Sequence, residues 1–297
     1  MYDILIVGGG AAGLTAGLYA ARAGLKTGVI ESGFAGGQAS TTDRLENYPG
    51  FPDGVGGPEL MMSFEQQASR FGMETIAGQA ESLRLTGLEK NVMVDGTEYS
   101  ARSIILAMGA KPRKLGVPGE EENIGRGVSY CATCDGALYR GKTVAVMGGG
   151  DTAVEDVNFL TQYAKVFWLH RRASLRAMGR AADRALAHPQ VTQMFSRTIL
   201  GIRREDARLT LDLSSGDTLS VDGLFIAVGT QPMTELARGL LPLTKDGYII
   251  AGEDTVTAIP GVFCAGDCRQ KPLRQVITAS ADGAVAAFMA ARYLSEQ

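Results

Sequence analysis

The chain has 297 residues, enough for two domains at roughly 100–200 residues each. Its 29 Lys and Arg against 32 Asp and Glu leave a formal net charge of −3, without the basic excess of a nucleic-acid binder. Hydrophobic residues at 45% and charged residues at 21% exclude wholesale disorder, and no run approaches the ~18 apolar residues of a membrane helix.

Met1-Tyr2-Asp3-Ile4 enters an apolar run with no basic stretch or cleavage site, so no signal peptide is expected and the expected location is the cytoplasm. Ile4 to Val7 reads as a buried strand and Leu14 to Ala23 as a helix; Lys26 to Ile30 reads as a second strand ending in Glu31. Between strand and helix lies Gly8-Gly9-Gly10-Ala11-Ala12-Gly13. Gly8 permits the tight turn, Gly10 lets backbone approach a pyrophosphate, and Gly13 lets helix and strand pack closely. Phosphates would meet the helix N-terminus. Glu31, 18 residues after Gly13, can accept hydrogen bonds from a ribose diol. Strand, loop, helix and acid in register point to an adenine dinucleotide rather than a bare glycine turn.

Ile104 to Ala110 reads as a buried strand closed by Gly109. Lys111 to Lys114, with Pro118-Gly119, then reads as a hinge. Tyr130-Cys131-Ala132-Thr133-Cys134-Asp135-Gly136 follows. A C-x-x-C segment can close a small disulfide ring and depress one thiol's pKa. Asp135 can move a proton to or from a thiolate if its own pKa is raised. The alternatives are inert core thiols, or a zinc half-site completed by Cys264 and Cys268. Cys264 falls within a strand and Asp267 is wanted elsewhere, so Cys264 and Cys268 read as packing residues.

The strand–glycine–helix–strand pattern returns at Thr143 to Met147, Gly148-Gly149-Gly150-Asp151-Thr152-Ala153, a helix to about Tyr163, and Lys165 to Leu169. This copy ends in His170-Arg171-Arg172, with Arg176 beyond. An acid there would repel a 2′-phosphate, whereas arginines pair with one, so this site reads as binding NADPH. The bland reading is a solvated charge run. Two dinucleotide sites in one chain imply transfer between a nicotinamide and a flavin, which assigns FAD to the first. Leu224 to Thr230 repeats the strand-and-glycine ending, with the return hinge placed between Gln231-Pro232 and Leu241-Pro242. Near the C-terminus, Ile259 to Asp267 is a turn, a strand and a Gly266-Asp267 step. Asp267 would hydrogen-bond the ribityl chain of FAD, and Arg274-Gln275-Val276 leads into a small-residue helix, Ala279 to Leu294.

The expected fold class is α/β. It comprises two Rossmann-like, three-layer dinucleotide-binding domains, with the NADPH domain inserted in the FAD domain. Residues 1–112 and 243–297 form the FAD domain, and 113–242 the NADPH domain with its C-x-x-C.

Cys131 to Asp135, Gly36-Gly37-Gln38, Glu46-Asn47-Tyr48-Pro49-Gly50, the Gly148 loop, His170-Arg171-Arg172 with Arg176, and Ala265-Gly266-Asp267 with Arg274-Gln275 stand in a definite order. In that order and spacing the chain resembles the low-molecular-weight, bacterial-type NADPH-dependent thioredoxin reductases over nearly its whole length. The resemblance implies FAD held non-covalently by Gly8, Gly10, Ala11, Ala12, Gly13, Glu31, Ser32, Gly36, Gly37, Gln38 and Asn47. Ala80, Ala107, Gly109, Gly266, Asp267, Arg274, Gln275 and Val276 complete that set. It implies NADPH at Gly148, Gly150, Asp151, Thr152 and Ala153, with His170, Arg171, Arg172 and Arg176 around the 2′-phosphate. In the family the second cysteine, here Cys134, faces the flavin. The first, here Cys131, attacks oxidised thioredoxin, and the acid, here Asp135, carries the proton. Family members are homodimers, and their inserted domain rotates on its hinges. Arg126 fits a partner-binding arginine. Ala137-Leu138 stands where many members carry two aromatics, and Ala177 to Arg180 is less typical. The rival readings are another dithiol partner, a ferredoxin or deazaflavin donor, and a non-catalytic flavin redox sensor.

Overall fold

In the computed structural model, which describes residues 1–42 and 44–297, the apolar runs are central strands of two separate sheets. The chain opens with β1 (Tyr2–Val7), α1 (Ala11–Arg22), β2 (Thr27–Glu31), α2 (Gly57–Arg70) and β3 (Glu74–Ala77). An antiparallel meander follows, made of β4 (Ala80–Arg84), β5 (Lys90–Val94) and the long β6 (Thr97–Leu106). After the short β7 (Ala110–Pro112) come β8 (Val128–Ser129), α3 (Ala132–Asp135), β9 (Thr143–Met147) and α4 (Asp151–Leu160). Next are β10 (Lys165–His170), α5 (Arg180–Ala187), β11 (Val191–Phe195), β12 (Ile199–Glu205) and β13 (Arg208–Leu213). The chain continues through β14 (Thr218–Val221), β15 (Gly223–Ile226) and β16 (Thr230–Pro232), and ends on β17 (Val262–Cys264) and α6 (Val276–Ser295).

These elements form two units, Met1–Lys111 with Gln231–Gln297, and Pro112–Thr230. The outward crossing lies one residue before its expected place. The return differs more, because residues 231–242, read as part of the insertion, belong to the first unit. Burial decides this: Ala237 and Leu241 share a core cluster with Leu5 and Val7, and the Met233 N–H donates to Gly109 O at 3.0 Å.

In the first unit, β3, β2, β1, the end of β6 and β17 form a parallel sheet. Alternation along β1 sends Ile4 and Ile6 to one face and Leu5 and Val7 to the other. The first face is covered by α1, α2 and α6; the second by β4, β5 and residues 237–251. Fully burying each such side chain contributes about 1.5–3 kcal/mol. Small residues set how closely α6 meets α1: a Cβ on Gly283 would lie 2.1 Å from Ala12 O. Strand order reverses between β1 and β6, so a crevice opens beyond their carboxyl ends, where ligands bind in such sheets.

The second unit repeats the plan. Its parallel sheet runs β11-β10-β9-β15-β8, with α4 and α5 on one face and the antiparallel β12-β13-β14 sheet on the other. Among the described residues no helix is long and apolar enough to cross a membrane.

Candidate dinucleotide and disulfide sites

β1 delivers Gly8 to the crevice of the first unit. Its φ is +107°, and a Cβ there would lie 2.4 Å from Ala107 O, so both conformation and space require glycine. A Cβ on Gly13 would lie 1.8 Å from Gly8 O, which lets α1 close directly onto the turn. At Gly10, which precedes the helix, a Cβ would meet nothing nearer than 4.0 Å. That face is open, with Ala11 and Ala12 buried behind it and the first N–H groups of a 12-residue helix beside it.

Glu31 stands at the end of β2 against this loop. Its Oε2 accepts the Gly9 N–H at 2.7 Å, and its Oε1 accepts the Gly33 N–H at 3.2 Å and the Ser32 hydroxyl at 3.4 Å. The Gly36 N–H donates to Gly9 O at 2.7 Å and lays the Gly36-Gly37-Gln38 turn alongside. Gln38 is exposed there. Ala80 begins β4, just after Gly78, whose N–H donates to Glu31 O at 3.0 Å.

Residues from the far end of the chain meet the same loop. A Cβ on Gly266, φ +77°, would lie 2.8 Å from the Ala12 Cβ. The next residue, Asp267, has a buried Oδ1 with no hydrogen-bond partner, and burial pushes its carboxyl pKa up against the pull of Lys271 and Arg274. A buried acceptor without a donor, beside a helix N-terminus and an open glycine face, suits a polyol chain with a diphosphate. Arg274 sits 4.0 Å over the Tyr248 ring, and its Nε is 3.5 Å from Asp267 O. Asn47 Nδ2 donates to Gln275 Oε1 at 2.9 Å, joining two predicted residues 228 apart in sequence. Gln275 caps α6 reciprocally with Thr278, and Val276 packs on the adjoining core. The sequence reading misses Tyr248 and the buried Arg269–Lys271–Asp282 cluster. A lone Asp in a helix of small residues is the signal that marks it.

In the second unit a Cβ on Gly148 would lie 2.3 Å from Ala227 O, matching Gly8 and Ala107 in the first. A Cβ on Gly150 would come within 2.7 Å of Arg176 Nη2, and one on Gly149 within 2.3 Å of the His170 ring. Asp151 and Thr152 are exposed on the first turn of α4, with Ala153 buried. His170 is buried and its Nε2 has no partner; burial, then Arg172 and Arg171, hold its pKa down, so the imidazole is neutral. The Arg176 and Ala177 N–H groups donate to Gly149 O at 2.8 and 3.2 Å, folding the arginine segment onto the loop. Arg171, Arg172 and Arg176 are exposed and enter no ion pair among the described residues. Uncompensated guanidiniums beside a glycine loop suit a phosphate monoester.

Cys131 and Cys134 form a disulfide, their Cα atoms 5.3 Å apart, across the single turn of α3 that follows β8. That bond uses the thiolates a zinc half-site would need. Ser129, at the end of β8, organises the turn. Its hydroxyl donates to Asp135 Oδ2 at 2.6 Å and accepts the Cys131 N–H at 3.1 Å. The sequence motif alone does not single out Ser129; a hydroxyl two places before the first cysteine is its only signal. A Cβ on Gly136 would press on Phe159 and Leu160, which explains the glycine after Asp135. Cys264 and Cys268 are buried and free, their sulfurs 3.5 Å apart, in the core between β17 and the Asp267 turn. No group of three or more metal-binding side chains occurs among the described residues.

Two dinucleotide-type loops and a disulfide in one chain define a class, and comparison with known proteins agrees. The pyridine nucleotide-disulphide oxidoreductase family matches residues 2–283, and the chain belongs to it. It is 43% identical to the thioredoxin reductase of Mycolicibacterium smegmatis, covering 100% of this chain and 98% of that one. It is 41% identical to the thioredoxin reductase of Bacillus subtilis strain 168, covering 100% and 96%. The crystal structure of thioredoxin reductase from Streptococcus pyogenes MGAS5005 superposes with a TM-score of 0.94 at 42% identity, covering 100% and 99%.

Proposed function

We propose that the protein is an NADPH-dependent thioredoxin reductase, in which electrons from NADPH reach oxidised thioredoxin through FAD and the Cys131–Cys134 disulfide. The observation that carries this reading is the disulfide itself, formed on one turn with an acid and its hydroxyl partner already hydrogen-bonded. Gly8 to Gly13, Glu31, Asp267 and Gln275 would hold FAD; the Gly148 loop with Arg171, Arg172 and Arg176 would hold NADPH. Bound FAD supplies two-electron chemistry between a nicotinamide and a disulfide.

The residues of the chain do the rest. Glu31 keeps the first loop in shape through Gly9 and presents an acid where a 2′-phosphate would be repelled. Reduction opens Cys131–Cys134 to two thiols. Cys131 then attacks a sulfur of the thioredoxin disulfide, and Cys134 displaces the mixed disulfide, restoring the internal bond and releasing dithiol thioredoxin. Asp135 exchanges the proton of the attacking and leaving thiols, with Ser129 holding its Oδ2. Exposed Arg126 and Leu138 flank this segment and would face the partner. Ferredoxin or deazaflavin as donor would leave the three guanidiniums without a purpose. The resemblance adds a homodimer, which size-exclusion chromatography tests.

The test is an anaerobic titration with NADPH and then NADH, followed at the visible flavin band. Bleaching at much lower NADPH than NADH, with uptake beyond one two-electron equivalent, is the expected result. A yellow protein bleached by dithionite alone overturns the donor.

A further inference from the structure

Two carboxylates lie in and against the turn after β17, in opposite conditions. Asp282, on α6, is buried and saturated with donors. Its Oδ1 accepts Arg269 Nη2 at 2.8 Å; its Oδ2 accepts Arg269 Nε at 2.8 Å, Lys271 Nζ at 2.9 Å and the Gly266 N–H at 2.9 Å. Arg269 is 3% exposed, and Lys271 also donates to Thr278 O at 3.1 Å, tying the segment after the turn to α6. Asp267, adjacent to Gly266, keeps a buried Oδ1 with no partner. A buried carboxylate holding the N–H of a left-handed glycine restricts the turn that carries the following residue, because rotating the peptide before Gly266 would leave its buried N–H without an acceptor. Arg269 is shared with Glu253 at 3.7 Å, so the two cations of the cluster meet two acids. Burial and the charge of Asp282 push the Asp267 carboxyl pKa up, and Lys271 and Arg274 draw it down against them.

We propose that Asp282 is a positioning residue for the cofactor: clamped by Arg269 and Lys271, it pins Gly266 so that Asp267 presents its carboxylate to the polyol chain of FAD. The inference rests on the reading of the first unit as the FAD site. Asp282 itself touches no ligand and acts through Asp267.

A double-mutant cycle tests it. Apoprotein of the wild type, Asp267→Asn, Asp282→Asn and the double variant is titrated with FAD by flavin fluorescence, and the visible spectrum of each reconstituted protein is recorded. Asn at 282 offers one acceptor oxygen to the four donors and turns an NH2 group toward at least one of them, so the hold on Gly266 is weakened. Each single change is expected to weaken FAD binding roughly tenfold, with the double variant no weaker than Asp267→Asn alone, as for residues in one network. Asp282→Asn is also expected to shift the bound-flavin band as Asp267→Asn does, which loss of stability alone would not do. Multiplicative losses in the double variant, or unchanged affinity in Asp282→Asn, overturn the proposal. A wild-type apoprotein that takes up no FAD, or unaltered binding by Asp267→Asn, instead overturns the FAD reading, and the inference with it. If Asp282→Asn does not fold, Arg269→Gln, which frees one side of the clamp without touching Asp267, replaces it in the same cycle.

Discussion

The first and second glycine loops are copies of one backbone device that differ at two positions. In both, the first glycine lies so close to a neighbouring strand's carbonyl that a Cβ would come within 2.4 Å of Ala107 O or 2.3 Å of Ala227 O. At the third motif position the first loop needs Gly13, whose Cβ would stand 1.8 Å from Gly8 O, whereas the second accommodates Ala153. At the end of the next strand, Glu31 engages the first loop's own N–H, while His170 packs as a neutral ring under Gly149 and hands the charged role to the arginines beyond. The backbone turn is generic to dinucleotides, and one side chain at a strand end decides between a free ribose and a phosphorylated one.

The strongest way to separate the role of the disulfide from that of the two loops is Cys131→Ser. Flavin bleaching by NADPH should persist, while thioredoxin reduction falls to background, a loss of about a thousandfold or more. Full turnover in a coupled thioredoxin assay would mean the C-x-x-C pair is not the exit. Next in size is the third-position contrast. Gly13→Ala should cost about 3 kcal/mol and deplete bound flavin, since the added carbon meets backbone. The reciprocal Ala153→Gly should cost only about 1 kcal/mol, by helix propensity. Thermal melting with flavin quantification compares them, and equal costs would mean the loops pack alike.

The strand-end contrast is sharpened by Arg171→Ala with Arg172→Ala. KM for NADPH should rise by the equivalent of roughly 1.5–3 kcal/mol, with KM for NADH nearly unchanged. Steady-state rates with both donors decide it, and equal effects would remove the cluster from 2′-phosphate recognition. The smallest effect is a pH dependence. The unfolded chain protonates His170 near its ordinary value of 6.5, whereas the folded protein resists. The unfolded state therefore binds more protons in that range, and stability falls as pH drops below about 6.5. His170→Asn should flatten that part of the curve of melting temperature against pH; an unchanged curve would place the acid sensitivity elsewhere.

The motifs proved legible wherever a short stretch of chain contains its own reason. Both glycine loops, the acid and arginine endings, the β17 strand and the α6 helix all follow from local spacing and periodicity. The return boundary did not follow. Its prolines suggested a hinge near Pro242, but Ala237, Leu241 and Ile249 bury against Leu5 and Val7, and that burial carries residues 231–242 into the first unit. Helix α2 was unread as well; its placement depends on Leu60, Met61 and Ala68 reaching the cluster around Ile4 and Ile6.

Sequence by itself therefore determined which chemistries the chain carries: a disulfide-capable pair, an acid-ended loop and an arginine-ended loop. Each depends on neighbours within one turn or one βαβ unit, where spacing alone sets geometry. Tertiary structure decided which side chains are held and which are left open. Asp282 and Asp267 have the same functional group and both are screened from solvent, yet one has four donors and the other an unpaired oxygen. That difference arises because α6 delivers Asp282 to a turn 16 residues earlier in the chain, a juxtaposition no local pattern encodes.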